Sequence, residues 1–353
     1  MQRVNNSTIL EPSSTQRTKP SARPLVFLLI ICLGLPLIAL LTFSSIAQGS
    51  MNLTIPQVWD LMWSTQTTDA ASIIVHTVRI PRALSALLVG SLLAVSGAIM
   101  QGLTRNPLAD PTIFGVSQGS TFAVALALAF VPGITTTGLT MYSFAGAAIG
   151  VGIVFLIGSF AANGLSPMKL ALAGTAVGML LSSFATIVSL KFKVSKDLTF
   201  WYAGGLVGME AKTVFFILPF AIVGLILSIA ISKSITTLSF GEDVAVNLGS
   251  KIALTKALGN LAVLILTGAA VSMAGYVGFV GLIIPHVSRY FVGSDYRLII
   301  PCSAILGAIL LILADLLGRI VSAPFETPVS VVTTLIGVPF FIFLASKKRE
   351  GSV

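Results

Sequence analysis

Charge is what this sequence has least of. Only 9% of its 353 residues are Asp, Glu, Lys or Arg, against about 25% in a soluble domain. With 55% hydrophobic residues, the chain cannot cover a water-facing surface. That excludes a soluble enzyme, a nucleic-acid binder and a disordered protein. Histidine is scarce too. The two present, His76 and His286, lie far apart with no carboxylate at metal-ligand spacing, which argues against a zinc centre or a nucleophilic triad. Cysteine stops at two. Cys32 and Cys302 each sit inside an apolar run and read as small packing residues, not as a disulfide or metal ligands. No Gly-Lys dipeptide occurs, so the Gly-x-x-x-x-Gly-Lys-Ser/Thr loop that cradles phosphates is missing.

What fills the chain instead is apolar sequence. A membrane span needs about 20 residues. Runs near that length recur at 25–47, 83–103, 113–131, 139–161, 168–190, 213–231, 252–273, 277–292, 298–317 and 329–345. Lipid offers the backbone no hydrogen-bond partner, so such runs must be helical, and no alternating pattern suggests a barrel. The sequence predicts an all-α polytopic membrane protein with about ten transmembrane helices. The eighth run is the shortest and is interrupted by Pro285 and His286. The first run follows Arg17, Lys19 and Arg23 but is too long for a signal-peptide core, so it reads as a retained span. Residues 1–24, rich in Ser, Thr, Asn and Pro, read as a disordered cytoplasmic tail. Residues 25–346 form the transmembrane domain and 347–353 a second cytoplasmic tail.

Ten spans put both termini on one side. Placing that side in the cytoplasm assigns 14 of the 21 Lys and Arg residues to inner segments and 7 to outer ones. Inner excess of this kind sets orientation, and it explains the net charge of +9 without any nucleic-acid partner. Many of the 32 glycines, among them Gly90, Gly97, Gly146 and Gly152, fall inside spans and read as close helix packing. A faint internal echo links Ala94-Val95-Ser96-Gly97 with Ala270-Val271-Ser272 and Gly275. Each stretch precedes a Pro-bearing loop with a nearby Arg, which suggests an inverted repeat.

Two loops read as short helices. Outside, Thr54-Ile55-Pro56-Gln57 has capping-box spacing, and Val58, Trp59, Met62 and Trp63 share a face that suits the membrane interface. Inside, residues 239–249 offer Ser239 as a cap, Glu242 and Asp243 for the positive helix end, and Gly249 as a stop. Val244 and Leu248 give this segment a small apolar face; on pattern alone it is a solvated loop helix.

Ionisable residues close to spans are the functional candidates. Arg79 and Arg82 stand at the outer mouth of the second span, where the inner-positive trend disfavours them. They either snorkel to lipid headgroups or present forks to the carboxylates of an external partner, with Arg319 on the same side. Asp315 lies four residues before Arg319, at the spacing of a helical ion pair. Glu326 sits in a Pro-flanked loop and Asp110 follows the second span. None lies deep along a span, so ion coupling lacks its residues and an outside energy source is implied.

Three blocks then carry a resemblance. The first runs through Arg79-Ile80-Pro81-Arg82, Leu93-Ala94-Val95-Ser96-Gly97, Gln101 and Arg105-Asn106-Pro107-Leu108-Ala109-Asp110-Pro111. The second is Phe279-Val280-Gly281-Leu282-Ile283-Ile284-Pro285-His286 with Arg289 and Gly293-Ser294-Asp295-Tyr296-Arg297. The third is Ala314-Asp315, Arg319, Glu326-Thr327-Pro328 and Ile336-Gly337-Val338-Pro339-Phe340. Together, from about residue 25 to 346, they resemble the FecCD family, permease subunits of ABC importers for ferric siderophores, haem and cobalamin.

The resemblance implies a ten-helix subunit of type II ABC importer architecture in a bacterial cytoplasmic membrane. It implies a second permease subunit, alike or different, and two cytoplasmic ATPases that carry ATP and Mg, with no cofactor in this chain. It also implies an extracytoplasmic substrate-binding protein. By resemblance, Arg79, Arg82 and Arg319 receive acidic groups of that binding protein. Residues 239–249 become a coupling helix in the ATPase groove, with Ser239, Gly241, Glu242, Asp243, Ala245, Leu248 and Gly249 at the contact. Asn106 and Leu108 belong to an inner gate and Ser166 to a second gate element. Tyr296, where many members have His, and Ser330, where Gly is common, depart from the pattern and point to a ferric-siderophore cargo. Haem and cobalamin are the alternatives within the family, and an ion-coupled secondary transporter the alternative outside it.

Overall fold

The computed structural model describes residues 23–49, 53–63, 69–159, 167–321 and 325–349. Ser166 falls outside these. Among the described residues the fold is all helix. In chain order it runs α1 (Pro24–Ala47), α2 (Ile55–Trp63), α3 (Ala70–Ile74), a π-turn (Val75–Arg79), α4 (Ile80–Thr104) and a 3-10 turn (Pro111–Phe114). Then come α5 (Val116–Phe130), α6 (Thr136–Ser159), α7 (Pro167–Lys191), α8 (Ser195–Tyr202), α9 (Ala211–Ser239) and α10 (Glu242–Asn247). The last four are α11 (Ile252–Ala274), α12 (Val280–Val292), α13 (Tyr296–Val321) and α14 (Val329–Arg349).

Among the described residues, seven segments are long and apolar enough to cross a bilayer: α1, the continuous stretch from α3 to α4, α6, α7, α9, α11 and α13. Three shorter apolar helices, α5, α12 and α14, fall on the remaining runs. The eighth run is thus only partly helical. Gly275 and Phe279 both take positive φ, which ends α11 and delays α12 until Val280. The second run is longer than its apolar stretch, because the helix begins at Ala70 and reaches α4 through the π-turn. Pro81 has no N–H to give an interior turn, and the first turn of α4, straight after that widened turn, tolerates it.

Lipid tails are as apolar as leucine, so helices here associate by close fit and not by escaping water. α4 is the axis of that fit. A Cβ on Gly97 would collide with the Gly281 carbonyl of α12, and one on Gly90 with the Gly307 carbonyl of α13. Gly119 of α5 meets Gly146 of α6 in the same way. Leu103, at the end of α4, packs over Gly259 near the start of α11, so these two central helices run antiparallel. α4 is followed by a turn and the short α5, and α11 by a turn and the short α12. Both short helices start after a residue of positive φ, Gly115 and Phe279. This repetition is the counterpart of the echo between 94–97 and 270–275.

Around this core the outer helices leave large apolar side chains uncovered. Leu25, Leu28, Leu29 and Leu33 of α1 and Leu172, Met179 and Leu190 of α7 are all more than half exposed. In a bilayer such faces meet acyl chains or another subunit. The interfacial helix α2 forms as its sequence predicts: Gln57 Oε1 accepts from Thr54 N at 2.9 Å, and Val58 is fully buried beneath exposed Trp59 and Trp63. Cys32 and Cys302 are both free.

Candidate functional site

Two polar clusters stand at opposite ends of α4. The first gathers the start of α4, the ends of α1 and α13, and the segment before α14. Arg82, on the first turn of α4, donates from Nε and Nη2 to Asp315 Oδ1 at 3.0 and 2.8 Å. Its Nη1 donates to both oxygens of Glu326 at 2.9 Å. Arg319, one turn after Asp315, pairs with Asp315 Oδ2 at 2.9 Å and donates to the Ser45 carbonyl at 3.0 Å. Arg79 turns its Nη1 onto the Ile46 and Ala47 carbonyls at 2.7 and 3.0 Å, the open end of α1. A cation there complements the negative end of the helix.

The three arginines are therefore brought together, but as parts of a closed network. The Asp315 side chain is fully buried, while that of Glu326 is 41% exposed. Asp315 lies near the end of α13 and is nevertheless sealed by the arginines around it, so position along a span did not reveal its burial. Ser330, a departure from the family pattern, donates Oγ to the Ala203 carbonyl and ties the start of α14 to the end of α8.

The second cluster lies at the other end, around α10. The helix starts two residues later than its cap pattern suggests. Ser239 closes α9, with Oγ donating to the Thr236 carbonyl at 2.7 Å, and Gly241 takes the cap position at φ 129°. A side chain at Gly241 would strain that backbone. Ala245 is fully buried and seats α10 against its neighbours, whereas Val244, Val246 and Leu248 are exposed. Gly249, at φ 75°, ends the helix, and the Ser250 N–H bonds back to the Ala245 carbonyl at 2.9 Å. A short helix anchored by one alanine thus turns three apolar side chains outward.

Glu242 opens α10 and is half-exposed. Its Oε1 accepts from Lys256 Nζ of α11 at 2.9 Å and lies 3.6 Å from Arg105 Nη2, just past α4. The Lys256 hydrogen bond is the main reason its carboxyl stays below the usual glutamate value. Asp243 is exposed beside it.

Arg105 itself takes φ 53° and starts the loop that holds Asn106 and Leu108. Asn106 Oδ1 accepts from Leu108 N at 3.0 Å, an Asx turn, and both side chains are exposed. Asp110 then accepts from Thr112 N at 2.8 Å and caps the 3-10 turn. So α10, α11 and the Asn106 loop meet through one carboxylate, which sequence spacing did not indicate. Nearby, Arg289 Nη2 donates to Tyr296 Oη at 3.1 Å and to Gln101 Oε1 at 3.3 Å. Tyr296, the other departure from the family pattern, is buried in that role. Among the described residues, no group of three or more His, Cys, Asp or Glu could hold a metal ion.

Among the described residues, seven membrane-capable helices and three shorter apolar ones pack around antiparallel central helices, with a buried arginine–carboxylate network at one end and a short outward-facing helix at the other, the build of a polytopic membrane protein. The FecCD transport family matches residues 37–347, and this chain belongs to it. Over 323 residues the chain is 51% identical to the iron(3+)-hydroxamate import system permease protein FhuB of Bacillus subtilis, covering 92% of this chain and 84% of that one. Over 311 residues it is 44% identical to the iron-uptake system permease protein FeuB of the same organism, covering 88% and 93%. A solved structure of an ABC transporter described as of metal-chelate type, in an inward-facing conformation, superposes with a TM-score of 0.77 at 30% identity, over 92% of this chain and all of that one. The protein is thus a polytopic membrane permease of the ABC importer type.

Proposed function

We propose that this chain is the permease subunit through which an ABC importer moves a ferric siderophore across a bacterial cytoplasmic membrane, both termini facing the cytoplasm. The observation that carries the reading is the identity of 51% to an iron-hydroxamate permease across nearly the whole chain. That makes a ferric hydroxamate the first cargo to test. Two permease subunits enclose the path, and two ATPases holding ATP and Mg supply the work. Arg23 N donates to the Val292 carbonyl at the end of α12, and Tyr296 N just beyond it donates to Thr236 of α9 close to α10, in keeping with a cytoplasmic N-terminus.

In this reading α10 is the coupling helix. Its exposed Val244, Val246 and Leu248 seat in a groove of the ATPase, and Glu242 passes movement to α11 and to the gate loop of Asn106 and Leu108. Ser166 contributes a second gate element. At the opposite end Arg79, Arg82 and Arg319 receive the acidic groups of the loaded binding protein. Arg82 is already paired, so docking is an exchange: a partner carboxylate takes the place of exposed Glu326, while Asp315 stays.

The test is reconstitution. Vesicles holding the permease, its ATPase and its binding protein take up ferric hydroxamate only with ATP, and vesicles holding the chain alone do not accumulate it. Leu248→Glu keeps ATP hydrolysis but loses uptake. Uphill accumulation by the chain alone would overturn the reading in favour of a secondary carrier. Uptake of cobalamin or haem in place of the chelate would change the cargo and keep the mechanism.

A further inference from the structure

A cleft of about 600 Å³ opens between α4, α6, α7 and α11, at the α10 end of the bundle. That volume is within the roughly 300–1,000 Å³ of ligand sites. Leu103, Val151, Phe155, Ala257 and Leu264 make its walls apolar. Two independent features say what fills it. The first is Gly152 of α6. A Cβ at Gly90, Gly97 or Gly119 would strike a neighbouring backbone, but one at Gly152 would meet no atom within 4 Å. This glycine leaves a gap where the others close one. The second is the cleft's polar edge. Lys256 lines it, and Lys256 and Arg105 share the single carboxylate of Glu242. Two cations on one anion leave the trio net positive, and neither Glu242 nor the exposed Asp243 beside it lines the cleft, so the charge on its wall is that of Lys256.

An apolar slot in a membrane protein with a cationic edge suits a molecule with an acyl chain and an anionic head. We propose that the cleft binds an anionic phospholipid, with one acyl chain over Gly152 between α6 and α11 and its phosphate on Lys256. On the reading of α10 as the cytoplasmic coupling helix, the lipid comes from the inner leaflet. Its phosphate competes with Glu242 for Lys256 and so loosens the tie between α10 and α11. Lipid occupancy then sets how tightly ATPase movement is passed to the permease.

The binding test needs no transport, so its failure is separate from failure of the importer reading. The full-length chain, purified in neutral detergent, is titrated with phosphatidylglycerol or with phosphatidylcholine of the same acyl chains and weighed by native mass spectrometry. One phosphatidylglycerol per chain should persist where phosphatidylcholine is stripped. Gly152→Trp, or Ala257→Phe from the facing wall, should weaken that retention about tenfold with melting temperature unchanged. Lys256→Gln should cut the preference for phosphatidylglycerol about fivefold, the effect of one basic residue at an anionic surface. Glu242→Gln, which frees Lys256, should tighten binding. Equal retention of the two lipids, or a preference that survives Lys256→Gln, overturns the site; this arm stands even where the bulky variants fail to fold. Disulfide formation between Gly152→Cys chains in the membrane would assign the cleft to a second copy of the chain and overturn it as well.

Discussion

The clusters at the two ends of α4 both pair basic side chains with carboxylates, and they behave as opposites. They are separated by the length of a 25-residue helix, about 36 Å at the rise of an α-helix. At one end Asp315 is sealed between Arg82 and Arg319 with no exposed side-chain surface. At the other, Glu242 is held by Lys256 and Arg105, but 44% of its side chain is open. Burial makes the difference. A sealed carboxylate cannot be lost without leaving charge in a medium that cannot solvate it. An open one trades partners with water or protein at little cost. The first cluster clamps α4 to α13 and α1 out of reach of water, and the second ties α10 to α11 where water reaches it. Glu326 is an intermediate case: it is attached to the clamp by Arg82 yet exposed enough to be displaced.

The comparison breaks most clearly at Asp315. Asp315→Asn removes the charge shared by two buried guanidiniums and should destabilise the protein by about 3–5 kcal/mol, read by denaturation in detergent. A loss below 1 kcal/mol would mean water reaches the cluster and the clamp is not sealed. Arg79→Gln should cost less, about 1.5–3 kcal/mol, since it removes charge-assisted bonds to the last carbonyls of α1 without orphaning a carboxylate. Glu326→Gln should change stability by about 1 kcal/mol or less. It should tighten capture of the loaded binding protein, because a competing carboxylate is gone. Weaker capture, measured at low salt where surface charge acts most strongly, would contradict the exchange.

Glu242→Gln has the smallest expected effect on folding, within about 1 kcal/mol as for an exposed ion pair. Its effect on function should be larger, a fall in cargo moved per ATP hydrolysed. If stability falls as far as in Asp315→Asn, the contrast between the two ends is lost. The same carboxyl predicts a pH response. Its hydrogen bond from Lys256 lowers its folded-state pKa below the ordinary 4.5. The stabilisation is therefore complete above 4.5 and disappears as pH falls through the lower folded value. The protection of α10 amides from hydrogen exchange, corrected for the intrinsic slowing of exchange in acid, should fall in that window in the wild type and stay unchanged in Glu242→Gln.

Local features were legible where a short stretch of chain sets them. The i,i+4 spacing gave the Asp315–Arg319 pair, the Gln57 side chain reached back to Thr54 as its spacing required, and glycines at 90 and 97 marked close helix approach. Gly152 carried the same signal and the opposite meaning, because a glycine says that a neighbour can come close and not that one does. Ser239 matched a cap pattern but completes the preceding helix. Glu326 reaches Arg82 across 244 positions, and Arg105 and Lys256 reach Glu242 from different helices. No spacing rule joins residues so far apart.

Scarcity of charge and the recurrence of long apolar stretches without alternation determined by themselves that this chain is a helical membrane protein, since lipid permits a backbone only helices or closed barrels. Which carboxylate answers which guanidinium, and which of them water can reach, was decided only by the packing of α4 against α11, α12 and α13. Ion pairing depends on distances near 3 Å and on the surroundings of each group, and neither exists until those helices are in contact.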